Sequence, residues 1–318
     1  MARLLILLTF PQQMRDSYRL RLAQLFPELA IDVTDHYSKA PPLIRDADAL
    51  LTFGPHARDE VFRAAGRLRW VQALGTGVDG IVDQPSLPPG VVVTNVRGIH
   101  GGPVTEAAIM MMLAVSRGLA ESVRHQDRRA WVRWPPPQLL EGKTVGIFGV
   151  GLIAEALAPK CKALGMTVIG FTSAKRDLPG FDAMLDRGEL IAKAGSLDHL
   201  VLLAPYSEET RRLIDARVFA AMKPTSYLIN LARGGIVDEE ALLAALDRGQ
   251  IAGAALDVFQ EEPLPADHPF WTRPNVLVTP HLGGFFDVYP ERALPTIEHN
   301  MACFLRGDFD GMINVVRR

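Results

Sequence analysis

Two series of short apolar runs, each run followed by residues with helical spacing, flank a tract that no helix can cross, "WVRWPPPQLLEGK". In the first series "RLLILLTF", "IDVTD", "DALLTF", "RWVQALG" and "VVVTN" read as strands, with helical spacing around residues 17–25 and 57–65. The second series runs "TVGIFGVG", a helix to Leu164, "MTVIGF", "HLVLLAP", "SYLINLA", a helix from Glu239 to Asp247, "IAGAALDVF" and "NVLVTP". Strand and helix in alternation predict mostly parallel sheets, and 318 residues exceed what one core usually supports. Between the series, "VTEAAIMMMLAVSRGLAESVRHQ" predicts one long, almost wholly apolar connecting helix. A last helix, about Tyr289 to Leu305, precedes "NVVRR", which reads as a return to the first domain. The expectation is a discontinuous domain, 1–99 with 288–318, and an inserted one, 100–287.

The chain is 48% apolar and 22% charged with a net charge of −2, so nothing in it suits a polyanion and nucleic acid is not an expected partner. Cys161 and Cys303 belong to no paired spacing, which predicts free thiols in a reducing compartment, no metal site and a cytoplasmic protein. The opening "MARLLILLTFPQQ" stops at Pro11, far short of a membrane span, and reads as a buried first strand.

"TVGIFGVGLIAEALA" places Gly149, Gly151 and Ala154 as G-x-G-x-x-A between a strand and a helix. Gly149 permits a tight turn, Gly151 lets backbone N–H groups approach a pyrophosphate, and Ala154 allows the helix to pack closely on the strand. The anion would rest on the helix N-terminus, where the dipole favours negative charge. In this strand-to-helix context the pattern reads as a dinucleotide site rather than a merely tight structural turn. The next strand ends "VIGFTSAKRD", with Thr172 where an NAD-selective site usually carries an acid for the ribose 2′-OH. Thr172 and Ser173 offer hydroxyls, and Lys175 and Arg176 offer charge that suits a 2′-phosphate, so NADP is favoured over NAD.

"INLARGGIVDEEALLAAL", "AALDVFQEEPLP" and "NVLVTPHLGG" each set a polar group just beyond an apolar strand, namely Arg233, Glu262 and His281. Together with "GVGLIA" and "LLAPYSEETRRLID" they resemble, in the same order and over essentially the whole chain, the D-isomer-specific 2-hydroxyacid dehydrogenase family. The resemblance implies that His281 is the general acid/base, that Glu262 orients its ring and favours the imidazolium, and that Arg233 binds the substrate carboxylate and polarises the carbonyl. It makes "LGTGVDG" the substrate loop, with backbone N–H groups near Thr76 and Gly77 holding the carboxylate. It also implies cofactor contacts from Thr105, Leu152, Ile153, Ala204, Pro205, Thr210, Leu231, Ala232, Asp257 and Gly283, beside Arg233, His281 and the residues of the glycine turn. In this family the proline-rich crossing forms a two-fold dimer contact, and Trp131 or Trp134 would reach toward the neighbouring subunit.

The fold so implied is α/β with two Rossmann-like domains: a discontinuous flavodoxin-like substrate domain and an inserted doubly wound NAD(P)-binding domain, with the site in the cleft between them. The function implied is NAD(P)-dependent reduction of a small 2-keto acid, such as glyoxylate or hydroxypyruvate, by hydride transfer, with no membrane partner. The alternatives are a phosphite- or phosphoglycerate-type dehydrogenase, and a nucleotide-sensing module like the transcriptional corepressors related to this family. An acid at Glu262 argues against the formate-oxidising relatives, which carry glutamine there.

Overall fold

In the computed structural model, which describes residues 1–133 and 135–316, the chain forms two α/β units. One is Met1–Ile99 with the segment from Phe286 onward, and the other is His100–Phe285. The second crossing thus falls at Phe286, two residues before the position read from the sequence.

The first unit holds five parallel strands, β1 (Arg3–Leu7), β2 (Ala30–Thr34), β3 (Ala49–Thr52), β4 (Trp70–Ala73) and β5 (Val92–Thr94), in the order β2-β1-β3-β4-β5. That is the flavodoxin-like order. Helices α1 (Gln12–Leu25), α2 (Pro41–Ile44) and α3 (Asp59–Arg63) connect the first four strands. Successive residues of β1 point to opposite faces. Leu4 and Ile6 therefore join Tyr18, Leu22, Ile297 and Met301 in one core, while Leu5 and Leu7 join Ile44, Val61 and Phe62 in the other. A buried polar chain crosses the first core: Trp70 Nε1 donates to Thr94 Oγ1 at 2.8 Å, Thr94 to Gln72 Oε1 at 2.8 Å, and Asn300 Nδ2 to the same oxygen at 3.0 Å. The C-terminus comes back as the sequence suggested, with Val316 N–H donating to Val93 C=O at 2.8 Å beside an antiparallel bridge between Thr94 and Val315.

The second unit opens with α4 (Gly101–Ser116) and α5 (Leu119–Asp127). The single long helix expected there is two helices bent by 64°, because Gly118 takes φ +63° and ends the first. Among the described residues no single helix is long and apolar enough to cross a membrane. Then follow β6 (Thr144–Phe148), α6 (Leu152–Ala163), β7 (Thr167–Thr172), β8 (Ala183–Asp186), α7 (Leu190–Ala194), β9 (His199–Leu202), α8 (Ala216–Ala221), β10 (Tyr227–Asn230), α9 (Glu239–Asp247), β11 (Gly253–Leu256) and β12 (Val276–Val278). The C-terminal helix α10 (Tyr289–Arg306) belongs to the first unit. All seven strands are parallel, in the order β12-β11-β10-β9-β6-β7-β8. The order reverses between β6 and β9, the switch point at which doubly wound sheets open a ligand crevice beyond their carboxyl ends. Because the strands are parallel, the loops after β6, β7, β9, β10, β11 and β12 emerge along that one edge.

Candidate active site

Arg233 follows β10 by three residues. Buried Asn230 shapes the turn that carries it: its Oδ1 accepts from Ala232 N–H at 3.1 Å and its Nδ2 donates to Arg233 C=O at 3.1 Å. The arginine side chain donates to Ala232 C=O at 2.7 Å. Gly234 comes next because nothing larger fits. A Cβ there would enter the Phe259–Gln260 backbone, so the turn after β10 lies directly against the loop that bears Glu262. Glu262 Oε1 closes that loop by accepting from Phe259 N–H at 3.0 Å, and its bond to Pro263 is cis.

His281 lies three residues beyond β12 with φ +53°, in the left-handed region that side chains seldom adopt. Asp257, buried at the end of β11, holds it there. The Asp257 C=O accepts His281 N–H at 2.8 Å, while the carboxylate accepts from Thr279 Oγ1 at 2.5 Å and from Leu282 and Gly283 N–H at 2.8 Å each. Gly283 is small for a reason: a Cβ would meet Leu231 Cδ2 at 2.7 Å and Asp257 Oδ2 at 2.9 Å. The result is a contact between His281 Nδ1 and Glu262 Oε2 of 2.7 Å, with 31% of each side chain exposed. Burial alone would raise the Glu262 carboxyl. The hydrogen bond and charge of His281, the Phe259 N–H and the charge of Arg233 outweigh it and hold Glu262 below the usual carboxylate range. With Nδ1 on a carboxylate, Nε2 is the nitrogen left to exchange a proton. Such a set can deliver and remove a proton beside a fixed positive charge.

The glycine turn has the form a pyrophosphate needs. Gly149, at φ +97°, packs so tightly on Ala204 that any Cβ would strike its backbone, whereas a Cβ on Gly151 would meet nothing within 4 Å. Gly151 precedes α6 without a side-chain cap, and the helical ladder starts only at Glu155 N–H to Gly151 C=O, 2.9 Å. The first N–H groups of α6 thus face an open approach, and Leu152 is half exposed. Ala154, fully buried, sets the helix on the sheet. These residues fit a dinucleotide.

Other positions expected to touch the cofactor also make contacts within the protein. Thr105 has 0% exposure; its hydroxyl donates to Gly102 C=O at 2.8 Å and accepts from Lys160 Nζ, joining α4 to α6. Thr210 is also buried and closes the loop after β9 through Pro205 C=O, 3.0 Å. Thr172 is buried, with its Oγ1 turned to the Ala174 backbone, while Ser173 is exposed. Lys175 and Arg176 are half exposed and engaged: Lys175 Nζ with Asp186 at 2.8 Å, Arg176 with Glu155 at 2.9 Å and with Val150 C=O at 3.3 Å. Ala204 and Ala232 are buried, Leu231 is partly buried and Pro205 is exposed, all at the carboxyl edge.

In the first unit, Thr76 and Gly77 occupy the loop after β4. Asn95 Nδ2 donates to Thr76 C=O at 2.7 Å, and Gly80, at φ +80°, packs on Gly54, which pins the loop from both ends. Trp131 is 85% exposed with Arg133 over its ring at 5.7 Å, and Trp134 lies outside the described residues. Asn95, Asn230, Glu155 and Asp186 are not singled out by sequence reasoning. A polar residue closing an apolar strand, as in "SYLIN", was the available signal for Asn230.

Residues 109–283 match the model for the NAD binding domain of D-isomer specific 2-hydroxyacid dehydrogenases. The chain is 33% identical to glyoxylate/hydroxypyruvate reductase A of Serratia proteamaculans, over 86% of this chain and 88% of that protein. Its fold superposes with a TM-score of 0.87 and 32% identity on a D-isomer specific 2-hydroxyacid dehydrogenase family protein from Aeromonas salmonicida, covering 100% and 99% of the two chains. An NADPH-dependent glyoxylate/hydroxypyruvate reductase from Sinorhizobium meliloti, solved with NADP and sulfate, gives 0.83 at 29% identity over 99% and 98%. The protein is therefore an oxidoreductase by descent, and the chain belongs to the D-isomer-specific 2-hydroxyacid dehydrogenase family.

Proposed function

We propose that this chain is an NADP-preferring reductase of small 2-keto acids, glyoxylate or hydroxypyruvate among them. The observation that carries the reading is the 2.7 Å contact between His281 Nδ1 and Glu262 Oε2, in loops that abut the Arg233 turn. Arg233 pairs with the substrate carboxylate and draws electron density from the keto oxygen. His281 Nε2 gives its proton to that oxygen as the carbonyl carbon is reduced, and Glu262 stabilises the imidazolium beforehand. The nicotinamide, when bound, supplies the hydride.

The coenzyme preference is supported by the missing acid at Thr172, by Arg176 lying against the glycine turn, and by the NADPH-dependent relative. We further propose a cytoplasmic homodimer. Trp131, Val132, Leu119 and Val123 expose 85%, 52%, 51% and 50% of their surface, apolar area that a second copy would cover.

Absorbance at 340 nm, with glyoxylate or hydroxypyruvate and NADPH or NADH in parallel, tests the reading. A kcat/KM clearly higher with NADPH is expected. Preference for NADH removes the coenzyme assignment and keeps the reductase; no turnover of either acid with either coenzyme removes the substrate assignment.

A further inference from the structure

The two cations assigned to the 2′-phosphate are already neutralised within the protein. Arg176 donates to Glu155 Oε1 at 2.9 Å and to Val150 C=O at 3.3 Å, which straps it across the glycine turn. Lys175 Nζ stands 2.8 Å from Asp186 and 3.4 Å from Glu189. Asp186 ends β8 directly opposite Thr172 of β7. The acid absent from the end of β7 is therefore supplied sideways, by the neighbouring strand. Two cations face three carboxylates, and a dianion arriving there meets a field that is not positive until a pair opens.

We propose that Glu155 and Asp186 are specificity-determining residues that set how strongly this site prefers a 2′-phosphorylated nucleotide, by acting as exchangeable counter-ions of Arg176 and Lys175. The proposal rests on the NADP reading above and deepens it. Exposed ion pairs of this kind are weak, and a phosphate with three acceptor oxygens displaces them. The carboxylates remain nearby after displacement and repel the phosphate, so they hold the preference below what the cations alone would give. Glu189 plays a different part, since its carboxylate accepts Asp186 N–H at 2.8 Å and completes the capping box at Asp186–Glu189. For that reason the test uses Asn at 186, which caps as well as Asp.

Dissociation constants for adenosine 2′,5′-bisphosphate and for 5′-AMP, measured by titration calorimetry on the whole protein, separate the 2′-phosphate contact from turnover. Glu155→Gln and Asp186→Asn should each tighten the bisphosphate about three- to tenfold, as expected for removing one charge at this range, and leave 5′-AMP within twofold. The gain should shrink at high salt. Unchanged bisphosphate affinity in both variants, or an equal change for both nucleotides, overturns the proposal. If wild type already favours the bisphosphate and Arg176→Ala abolishes that preference while neither acid matters, the coenzyme reading stands and the counter-ion proposal falls. If wild type shows no preference yet Glu155→Gln creates one, the counter-ions are as proposed and the coenzyme reading falls.

Discussion

His281 carries a conformational cost in its position: a non-glycine residue in the left-handed region loses about 1–2 kcal/mol, and Asp257 offsets it through its carbonyl and a carboxylate with three donors. Asp257→Asn turns an NH2 toward N–H or O–H donors. It should lower stability by about 1–3 kcal/mol through the unmet hydrogen bonds and reduce turnover with it, as thermal melts and the 340 nm assay would show. His281→Ala removes the proton donor itself, with an expected loss of about 10²–10⁴ in kcat and an unchanged circular dichroism spectrum. Glu262→Gln keeps a hydrogen bond to the ring and deletes the charge. Reduction should slow at least about tenfold; a rate unchanged from wild type would show that Glu262 merely positions the ring. That His281, Glu262 and Arg233 lie in the loops after β12, β11 and β10 was legible, because each of those loops follows an apolar strand. Asp257 is expected to touch cofactor, and in the structure both its oxygens also accept from the histidine loop. A sequence names a carboxylate without naming its donors.

Strands with β-branched or long apolar runs, such as "TVGIF" and "HLVL", were readable as elements, and so was α9, bounded by Asp238 and Gly249. β8 was not, since "AMLD" carries no β-branched residue and is only partly buried as an edge strand. The ion pairs of Lys175 and Arg176 were hidden with it, because Asp186 becomes their neighbour only once β8 pairs with β7. The break between α4 and α5 turns on a single residue, Gly118 at φ +63°. Its helical flanks promise continuity, and a glycine in a helical pattern does not announce which φ it takes. Gly118→Ala should cost about 1 kcal/mol, a fall of about 2–4 °C in Tm, without touching nucleotide affinity. Gly234→Ala is a sharper case, since its Cβ enters the Phe259–Gln260 backbone. Both stability and kcat should drop, because the contact it breaks joins the Arg233 turn to the Glu262 loop.

At the scale of the molecule, acid should unfold the protein early. Burial pushes the His100 and His199 rings down to about 4 from an ordinary value near 6.5. The unfolded chain therefore takes up protons between pH 6.5 and 4 that the native state refuses. The stability due to neutral burial is fully present above about 6.5, falls through that window by about 1.4 kcal/mol per pH unit for each ring, and levels off below about 4. Denaturant titrations from pH 7 to 4 would show the slope, and a flat profile would mean the rings hydrate before unfolding. The proposed dimer predicts an equilibrium sedimentation mass twice that of the chain, reduced by Trp131→Glu. The construction of the first unit has a consequence for how the chain is made. A third of one of its cores, Tyr289, Ala293, Ile297, Met301, Cys303 and Phe304, and the buried Asn300 that reaches Gln72, arrive on α10. On the ribosome, residues 1–99 emerge first and must wait with that face uncovered while the whole of 100–285 is synthesised and folds. The nascent N-terminal segment thus keeps an apolar face uncovered until α10 has been made, and is the part of this protein that a holding chaperone has reason to bind.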